Sequence, residues 1–431
     1  MKGSGFIIIT LLLFLLVSCK REESVGPFPV IEILEPTGNL SFGYGDTVMV
    51  RASVKHEQSI DYVRIAIVNE ASSPVLPVQM FYPADKEISL EAVFVFDNLL
   101  TGTGKLSINV RAGSASGLTN EWMDVNYTSA SRTFESVLVV SNHQLYEHSV
   151  NEILATGGIS ERFSVSGDYS GSAVSSTHHK FYKAGSVLNA MDAWDLRLNQ
   201  ISWSVPAISS PPLPYFTAIY SDNNEVFCAT REALVSGYSA QGINTFRSKQ
   251  FSNGYFTSLI RYKSWVVAIF EPFNSSINKL VVFNYPGGTV FREIGLTGKV
   301  VSINDFGNGG LLLYINDNAQ SAGYQYNFDI NSLIKLKDFP QGNIRRVSMP
   351  EVRDAFLAFA DGIYWYRPAT ASVVKIIHTV NASDLAYEPI TGRLFVASDS
   401  KVEMFILPDF QAVASYTFNE PVVNIHLLYN K

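Results

Sequence analysis

A unit of about 40 residues returns several times between residue 216 and the C-terminus. Each copy opens with two apolar runs joined by a short polar turn, the pattern of two antiparallel strands. The opening runs begin at Phe216, Phe256, Val300, Ile344 and Ala382, with spacings of 40, 44, 44 and 38 residues. A fixed period of this kind predicts that one small supersecondary unit is built repeatedly and that neighbouring copies pack on each other.

The second half of each unit predicts two further strands. Residues 191–203 are typical, with an apolar run, a polar turn and a second run, and equivalent segments lie at 280–291, 324–334, 363–374 and 402–413. Four short strands in a period near 40 are the pattern of one blade of a β-propeller. Trp194 and Asp195 resemble the dipeptide of WD40 repeats. Because this pair occurs once, the resemblance implies a divergent propeller and not a regular WD40 array.

The two ends of the repeat region predict how such a ring would close. Residues 421–428 restart the first strand of a unit, after which the sequence ends. The missing strands are expected at 135–140, 144–148 and 152–155. A C-terminal strand completed by N-terminal ones would leave no unpaired sheet edge. Counting this shared unit and one at 164–206, we predict a β-propeller of seven blades over residues 133–431, with six or eight as alternatives.

Residues 27–128 predict a separate all-β domain. Alternating apolar runs lie at 29–36, 47–54, 62–68, 89–96, 105–112 and 122–127, with turn residues between them. About seven strands in about 100 residues favour a β-sandwich. The Gly45-Asp46 turn and the segment 110–117 resemble the Ig-like or PKD-like modules of bacterial surface proteins. Residues 128–132 are polar and are expected to link the two domains.

The N-terminus predicts export. Lys2 precedes an apolar run from Phe6 to Val17, which is too short for a transmembrane helix of about 20 residues and fits a signal peptide. The run ends on Leu16-Val17-Ser18-Cys19, which resembles the lipobox of bacterial lipoproteins. The resemblance implies that residues 1–18 are removed and that Cys19 becomes the lipid attachment site. The alternative is an ordinary signal peptide followed by an unrelated cysteine.

Residues 19–26 are expected to form a lipidated tether. The charged stretch from Lys20 to Ser24 resembles the export tag of Bacteroidetes-type surface lipoproteins. This implies a protein anchored in the outer membrane, facing the cell surface or the periplasm. The alternative is a plain flexible leash with no address.

Charge and cysteine content exclude some functions. The net charge is −7 and no cluster of Lys and Arg is visible, so nucleic acid is not an expected partner. Only two cysteines are present, and the second, Cys228, lies in an apolar run. We interpret it as a buried, unreactive thiol.

No metal or cofactor site is predicted. His178 and His179 are the only adjacent histidines, and neighbouring residues on a strand point to opposite faces. Three acidic residues, Asp168, Asp192 and Asp195, could approach them in space, but their spacing does not require it. We interpret the pair as polar loop and strand residues.

No catalytic residue is predicted either, and the ligand-binding residues stay unknown. Residues 166–170 resemble one imperfect Asp-box of sialidase-like propellers, but the other copies and the arginine cluster of that family are not visible. The aromatic segment Tyr364-Trp365-Tyr366 is interpreted as packing between blades, with a sugar-stacking surface as the alternative. The tripeptide at Asp46 resembles an O-glycosylation signal of Bacteroidetes-type exported proteins.

These observations favour a lipid-anchored envelope protein that binds or assembles. The membrane is the expected partner of the anchor, and the propeller face is expected to bind a glycan, a peptide or an outer-membrane protein. The alternative is a propeller enzyme, a polysaccharide hydrolase or lyase; a third is a structural scaffold. A pocket that gathers two carboxylates or an arginine cluster would favour the enzyme, whereas an aromatic or mixed polar surface would favour binding.

Overall fold

The computed structural model describes residues 27–38, 40–144, 147–185, 190–207, 214–318, 320–351, 354–378 and 381–431. The chain divides into two compact units between Ser131 and Arg132. The predicted signal peptide, Cys19 and the tether at 19–26 lie outside the described residues. Within them, no helix is long and apolar enough to cross a lipid bilayer.

The first unit is a two-sheet β-sandwich. Its strands are β1 (Val30–Glu35), β2 (Ser41–Gly43), β3 (Thr47–Lys55), β4 (Ile60–Val68), β5 (Gln79–Phe81), β6 (Glu87–Val95), β7 (Gly104–Ser114) and β8 (Gly117–Thr128). One sheet has the order β1-β3-β6 and the other the order β2-β8-β7-β4-β5. In β3 alternate residues are buried, among them Val48, Val50 and Val54, as expected for a strand with one face on a core. Both sheets contribute to that one core.

The described residues of the second unit form seven four-stranded antiparallel sheets. The first strands are β12 (Gly171–Ser175), β16 (Phe216–Ser221), β20 (Gly254–Tyr262), β24 (Lys299–Asp305), β28 (Arg346–Glu351), β32 (Ala382–Glu388) and β36 (Val422–Tyr429). The second strands are β13 (Lys180–Ala184), β17 (Glu225–Thr230), β21 (Trp265–Pro272), β25 (Leu311–Asp317), β29 (Asp354–Phe359), β33 (Arg393–Ser398) and β9 (Phe134–Gln144). The third strands are β14 (Met191–Asp195), β18 (Leu234–Ser239), β22 (Ile277–Asn284), β26 (Gln320–Asn327), β30 (Gly362–Arg367), β34 (Lys401–Ile406) and β10 (Glu147–Leu154). The fourth strands are β15 (Gln200–Val205), β19 (Asn244–Arg247), β23 (Val290–Thr297), β27 (Ser332–Phe339), β31 (Ser372–Ile377), β35 (Gln411–Thr417) and β11 (Ile159–Ser166).

The sheets form a closed ring. Each first strand contacts the first strand of the next sheet, from β12 through β16, β20, β24, β28 and β32 to β36, and β36 in turn contacts β12. The C-terminal β36 pairs antiparallel with β9, from Val422 opposite Ser141 to Tyr429 opposite Phe134. Sequential sheets around a ring, closed by strands from both ends, make this unit a β-propeller.

The burial pattern explains why the second strands have continuous apolar sequences. All six residues of β17 are buried, and so are five consecutive residues in each of β21, β25 and β29. A strand covered on both faces has no solvent side and therefore loses the alternation of polar and apolar residues. Cys228 lies in β17, where burial raises the pKa of its thiol to about 12. The interpretation of Cys228 as a buried thiol is confirmed.

The sheet that closes the ring differs in detail from the sequence prediction. The predicted strand at 144–148 spans the junction of β9 and β10, and the one at 152–155 overlaps the end of β10. The unit predicted from residue 164 begins with β12 at Gly171, because β11 extends to Ser166 and pairs with β10. Arg162 is an extra residue of β11 between the partners of Val150 and Asn151, and the buried residues of β10 include the polar His148 and Glu152, so neither strand shows a clear apolar alternation.

We expect the closing strand to contribute strongly to stability. Ile425 of β36 is 5% exposed and belongs to the same apolar cluster as Val137 and Val139 of β9. Ile425→Ala should lower the free energy of unfolding of the propeller by about 2–5 kcal/mol, because it leaves a cavity at the seam. Ile243, which is 66% exposed, supplies the control Ile243→Ala. Equal midpoints for both variants in differential scanning calorimetry would contradict this role of β36.

Candidate functional site

Interruptions of the strand ladder recur on one face of the propeller. Because the strands of each sheet are antiparallel neighbours, the first strands begin where the second strands end. We call this side the entry face. In five sheets the first strand has a register shift just after its start, which leaves one extra residue opposite its partner strand. These bulge residues are Thr217, Thr257, Val301, Ser383 and Val423.

The bulges leave polar groups at the entry face. The hydroxyl groups of Thr217, Thr257 and Ser383 are buried and have no hydrogen-bond partner among the described residues. β-Bulges interrupt the ladder, bend the strand and are enriched next to functional sites. The repeat therefore places a similar bulge near the start of the first strand in five of the sheets. The side chains that follow the bulge differ from sheet to sheet.

A cleft of about 370 Å³ lies on the entry face between β20, β24 and β28. Its chemically distinctive lining residues are Tyr255, Glu271, Lys299, Asn316, Arg345 and Arg346. We call this site the entry cleft. Ser258 and Thr257 of β20 add hydroxyl-bearing side chains to its wall.

Glycine allows the walls of the entry cleft to approach closely. A Cβ on Gly254 would lie 2.4 Å from the backbone oxygen of Glu271. Gly298 has a φ of +84°, and a Cβ there would lie 2.4 Å from the backbone oxygen of Asn316. Both positions therefore require glycine. Gly254 and Gly298 directly precede Tyr255 and Lys299. The close backbone approach at each glycine therefore fixes the position from which the next side chain extends.

The arginine wall is held by a side-chain amide. Asn316 Nδ2 donates to the carbonyl of Ile344 at 2.8 Å, and the Ile344 amide donates to Asn316 Oδ1 at 3.0 Å. These two hydrogen bonds tie the end of β25 to the chain just before β28. Arg345 also donates from Nη1 to Asn381 Oδ1 at 2.7 Å, and so reaches toward the next sheet.

The entry cleft is positively charged. Among the described residues, Lys299, Arg345 and Arg346 have no carboxylate within salt-bridge distance, and their remaining guanidinium and ammonium donors are available. Elsewhere in the propeller, Arg162, Lys180 and Arg261 each have a carboxylate within salt-bridge distance. In a protein of net charge −7 this local excess of cations stands out.

Glu271 is the carboxylate of the entry cleft. Its Oε2 accepts a hydrogen bond from the Tyr255 hydroxyl at 3.3 Å, and its Oε1 is buried without a described partner. The guanidinium of Arg231 lies 4.0 Å from the centroid of the Tyr255 ring and 5.0 Å from that of Phe273. This packing fixes Tyr255 at the edge of the cleft. The cleft thus contains three cations, one carboxylate and an anchored tyrosine.

A second polar group, the closure cluster, joins three first strands where the ring closes. It consists of Tyr169, Ser172, Asp384, Asn424 and His426. Ser172 Oγ lies 2.6 Å from both the Tyr169 hydroxyl and His426 Nε2. The Tyr169 hydroxyl also donates to Asn424 Oδ1 at 2.5 Å, and Asn424 Nδ2 donates to Asp384 Oδ2 at 3.1 Å.

The electrostatics of the closure cluster favour a structural role. Burial lowers the pKa of His426 to about 4, so the imidazole is neutral and a weak base. Burial also raises the pKa of Asp384, although backbone donation from Ile425 at 2.9 Å and the charge of Arg346 oppose that shift. A serine beside a histidine acts as a nucleophile only when the histidine is a competent base near the working pH. We interpret the cluster as a polar lock between β12, β32 and β36.

The structure separates the histidines and acids considered from the sequence. His179 is buried in the turn after β12, with Glu135 Oε2 3.3 Å from its Nε2 and Arg197 3.2 Å from its Nδ1. Asp195 instead binds Lys180 at 2.9 Å and two backbone amides, and Asp192 accepts from Ser204. No group of three potential metal ligands occurs in the described parts of the chain.

The remaining sequence candidates also have structural explanations. Tyr364 and Tyr366 are 9% and 0% exposed and pack against the aromatic core between sheets, so packing is confirmed over a sugar platform. Asp46 accepts a hydrogen bond from the Gly43 amide at 2.6 Å and closes the turn before β3. In the segment 166–170, the Ser166 carbonyl accepts from the buried Lys183 and Tyr169 belongs to the closure cluster.

Sequence analysis missed the entry cleft. Arg345 and Arg346 were read only as part of a repeat unit, and the cations of the cleft lie on segments 46 or 47 residues apart. A signal was present, because a pair of arginines follows the start of one unit, whereas the other four units have no basic residue at these two positions.

No family model matches this sequence, and no curated protein matches it. Among solved structures, apo AztD from Citrobacter koseri is similar at 9% identity and a TM-score of 0.47, covering 75% of this chain and 95% of that chain. Saccharomyces cerevisiae Sqt1 is similar at 12% identity and a TM-score of 0.46, covering 68% and 90%. The designed protein Ika8 is similar at 11% identity and a TM-score of 0.45, with the same coverage. Because these TM-scores are below 0.5, the similarities support no conclusion about fold or function. The fold is assigned here from strand pairing, and the site from its geometry.

We expect acid to destabilise the protein through its buried histidines. The folded-state pKa of His426 is about 4 against an ordinary 6.5, so between these values the unfolded chain binds a proton that the folded chain does not. This contribution to stability is present above pH 6.5 and is lost as the pH falls toward 4. Burial lowers the pKa of His148 in the same direction. His426→Gln should therefore reduce the fall in Tm between about pH 7 and pH 4.5, whereas the exposed control His378→Gln should leave it unchanged. Equal falls in wild type and His426→Gln would refute the assignment.

Proposed function

We propose that this chain is a lipid-anchored cell-envelope binding protein. In this proposal Cys19 carries the lipid and an Ig-like sandwich at 27–128 holds the second domain away from the membrane. A seven-bladed, WD40-like propeller at 133–431 binds the ligand or partner on its entry face. The protein lies in the outer membrane, facing the cell surface or the periplasm.

The observation that carries the binding proposal is the excess of cations over carboxylates in the entry cleft. Lys299, Arg345 and Arg346 come from two adjacent first-strand segments, and Glu271 is the single carboxylate among the described residues that line the cleft with them. Cations that serve only stability are usually paired when they share a confined site, because like charges repel. A concave site with convergent, unpaired donors supports recognition of an acceptor-rich ligand.

The enzyme alternative is supported less well. Glycoside hydrolysis by the usual route needs two carboxylates about 5–10 Å apart across the scissile bond. In the described residues that line the entry cleft, Glu271 is the single carboxylate, and it is hydrogen-bonded to Tyr255. Two neighbouring arginines in one pocket were expected for an enzyme, whereas the mixture of polar residues in the rest of the lining was expected for a binding site. A binding protein therefore accounts for more of the site.

We expect Cys19→Ser to abolish anchoring. When expressed in a bacterium that processes lipoproteins, the wild type should incorporate an alkyne fatty acid and enter the detergent phase on phase partitioning. The variant should do neither, because serine lacks the thiol that is acylated. Cys228→Ala is the matched control, since Cys228 is buried in β17 and should not affect labelling. Persistent labelling of Cys19→Ser would contradict the lipoprotein assignment.

Retention of a ligand tests the binding proposal directly. The soluble chain from residue 20 onward should retain a defined glycan on an array, or a single envelope protein in a pull-down. Retention should survive Cys228→Ala and fall when Arg345 and Arg346 are both replaced by Gln, since the proposal places recognition at the entry face. No retention in either screen would overturn it.

A further inference from the structure

We propose that the entry cleft binds a carboxylate-bearing sugar residue, such as a uronic acid unit of an acidic polysaccharide. This inference rests on the proposed binding function and names the chemistry of its ligand. The carboxylate would be bound by Arg345, Arg346 and Lys299, and the sugar hydroxyls by the neutral polar wall.

The cations define the anionic part of the ligand. Arg345 uses one donor on Asn381 and Arg346 uses one on the Arg345 carbonyl, which leaves most of their guanidinium donors unused. A guanidinium group matches the two oxygens of a carboxylate, and an ammonium group adds a point charge. Asp384 is close enough for its pKa to respond to Arg346, but it is not within salt-bridge distance and is held by Asn424 and Ile425.

The rest of the wall favours a sugar over an acidic peptide. Tyr255 and Ser258 place hydroxyl-bearing side chains along the cleft wall, whereas the hydroxyl of the neighbouring Thr257 is buried. Glu271 lies among them, and its negative charge would repel the repeated carboxylates of an acidic peptide. A sugar residue instead presents one carboxylate and several neutral hydroxyl groups. The cleft volume of about 370 Å³ is at the lower end of the range for small-ligand sites, which suits one or two sugar units.

The site is also prearranged. Asn316 holds the chain just before β28 through both hydrogen bonds to Ile344, and Gly298 allows Lys299 to pair with Asn316 near the end of β25. Arg231 packs on Tyr255 from outside the cleft. Binding therefore requires little ordering of backbone, which favours affinity for a small ligand.

The test is calorimetric titration of the soluble chain from residue 20 onward with oligogalacturonate. Its methyl-esterified form, which has the same backbone without charge, is the ligand control. Arg345→Gln with Arg346→Gln should weaken oligogalacturonate binding roughly 10- to 100-fold, as expected for loss of charged hydrogen bonds. Lys337→Gln with Lys401→Gln removes the same charge from outer strands and should leave affinity unchanged. Scanning calorimetry of both double variants separates a binding defect from misfolding.

The outcomes separate this inference from the proposed function. Equal binding of the esterified ligand, or equal affinity of both double variants, would overturn the acidic-sugar assignment. Tighter binding of an oligoglutamate peptide than of oligogalacturonate would overturn it in favour of a peptide ligand. If oligogalacturonate fails while the array or pull-down still yields a ligand, the sugar inference falls and the binding function stands. If every probe fails, both fall.

Discussion

The pairing of β36 with β9 is the interaction on which the propeller depends. Each of the other six sheets is built from consecutive strands, so it satisfies its backbone hydrogen bonds locally. The seventh sheet joins residues from opposite ends of the unit, and without it the strip of sheets would expose two apolar flanks. Closing a chain segment this long costs entropy, but the cost rises only slowly with length. The apolar contacts of Ile425 and its neighbours, together with the ladder, offset it.

Closure has a consequence for the distribution of polar groups. Where β12, β32 and β36 meet, Ser172 bonds both the neutral His426 and Tyr169, and Asn424 bonds both Tyr169 and Asp384. The seam is therefore closed by hydrogen bonds as well as by apolar packing. The entry cleft lies between other sheets and has the opposite character, with three cations and one carboxylate in its lining. The polar groups of the ring thus fall into one satisfied set that stabilises and one unsatisfied set that is available for a ligand.

The architecture could be predicted because short sequence patterns specify its strands and turns. The hairpins at Phe216, Phe256 and Val300 are each specified by two apolar runs and a turn, and the structure confirms them. The closing sheet was predicted less well, since the extra residue Arg162 interrupts β11 and the buried polar residues His148 and Glu152 hide the alternation of β10. The entry cleft was not predicted, because Tyr255, Lys299 and Arg346 meet only after three repeats have packed. His178 and His179 were considered as metal ligands because they are adjacent in sequence, but adjacency in sequence does not determine which side chains meet across sheets.

The ends of the propeller are joined beyond the β36–β9 ladder. The Thr133 amide donates to the side-chain oxygen of Asn430 at 2.9 Å, and the Asn430 amide donates to the Thr133 carbonyl at 3.1 Å. Chain ends that lie this close can be connected by a short linker and reopened elsewhere. The ring is therefore a natural candidate for circular permutation, and it could be grafted into a surface loop of another protein without stretching the host.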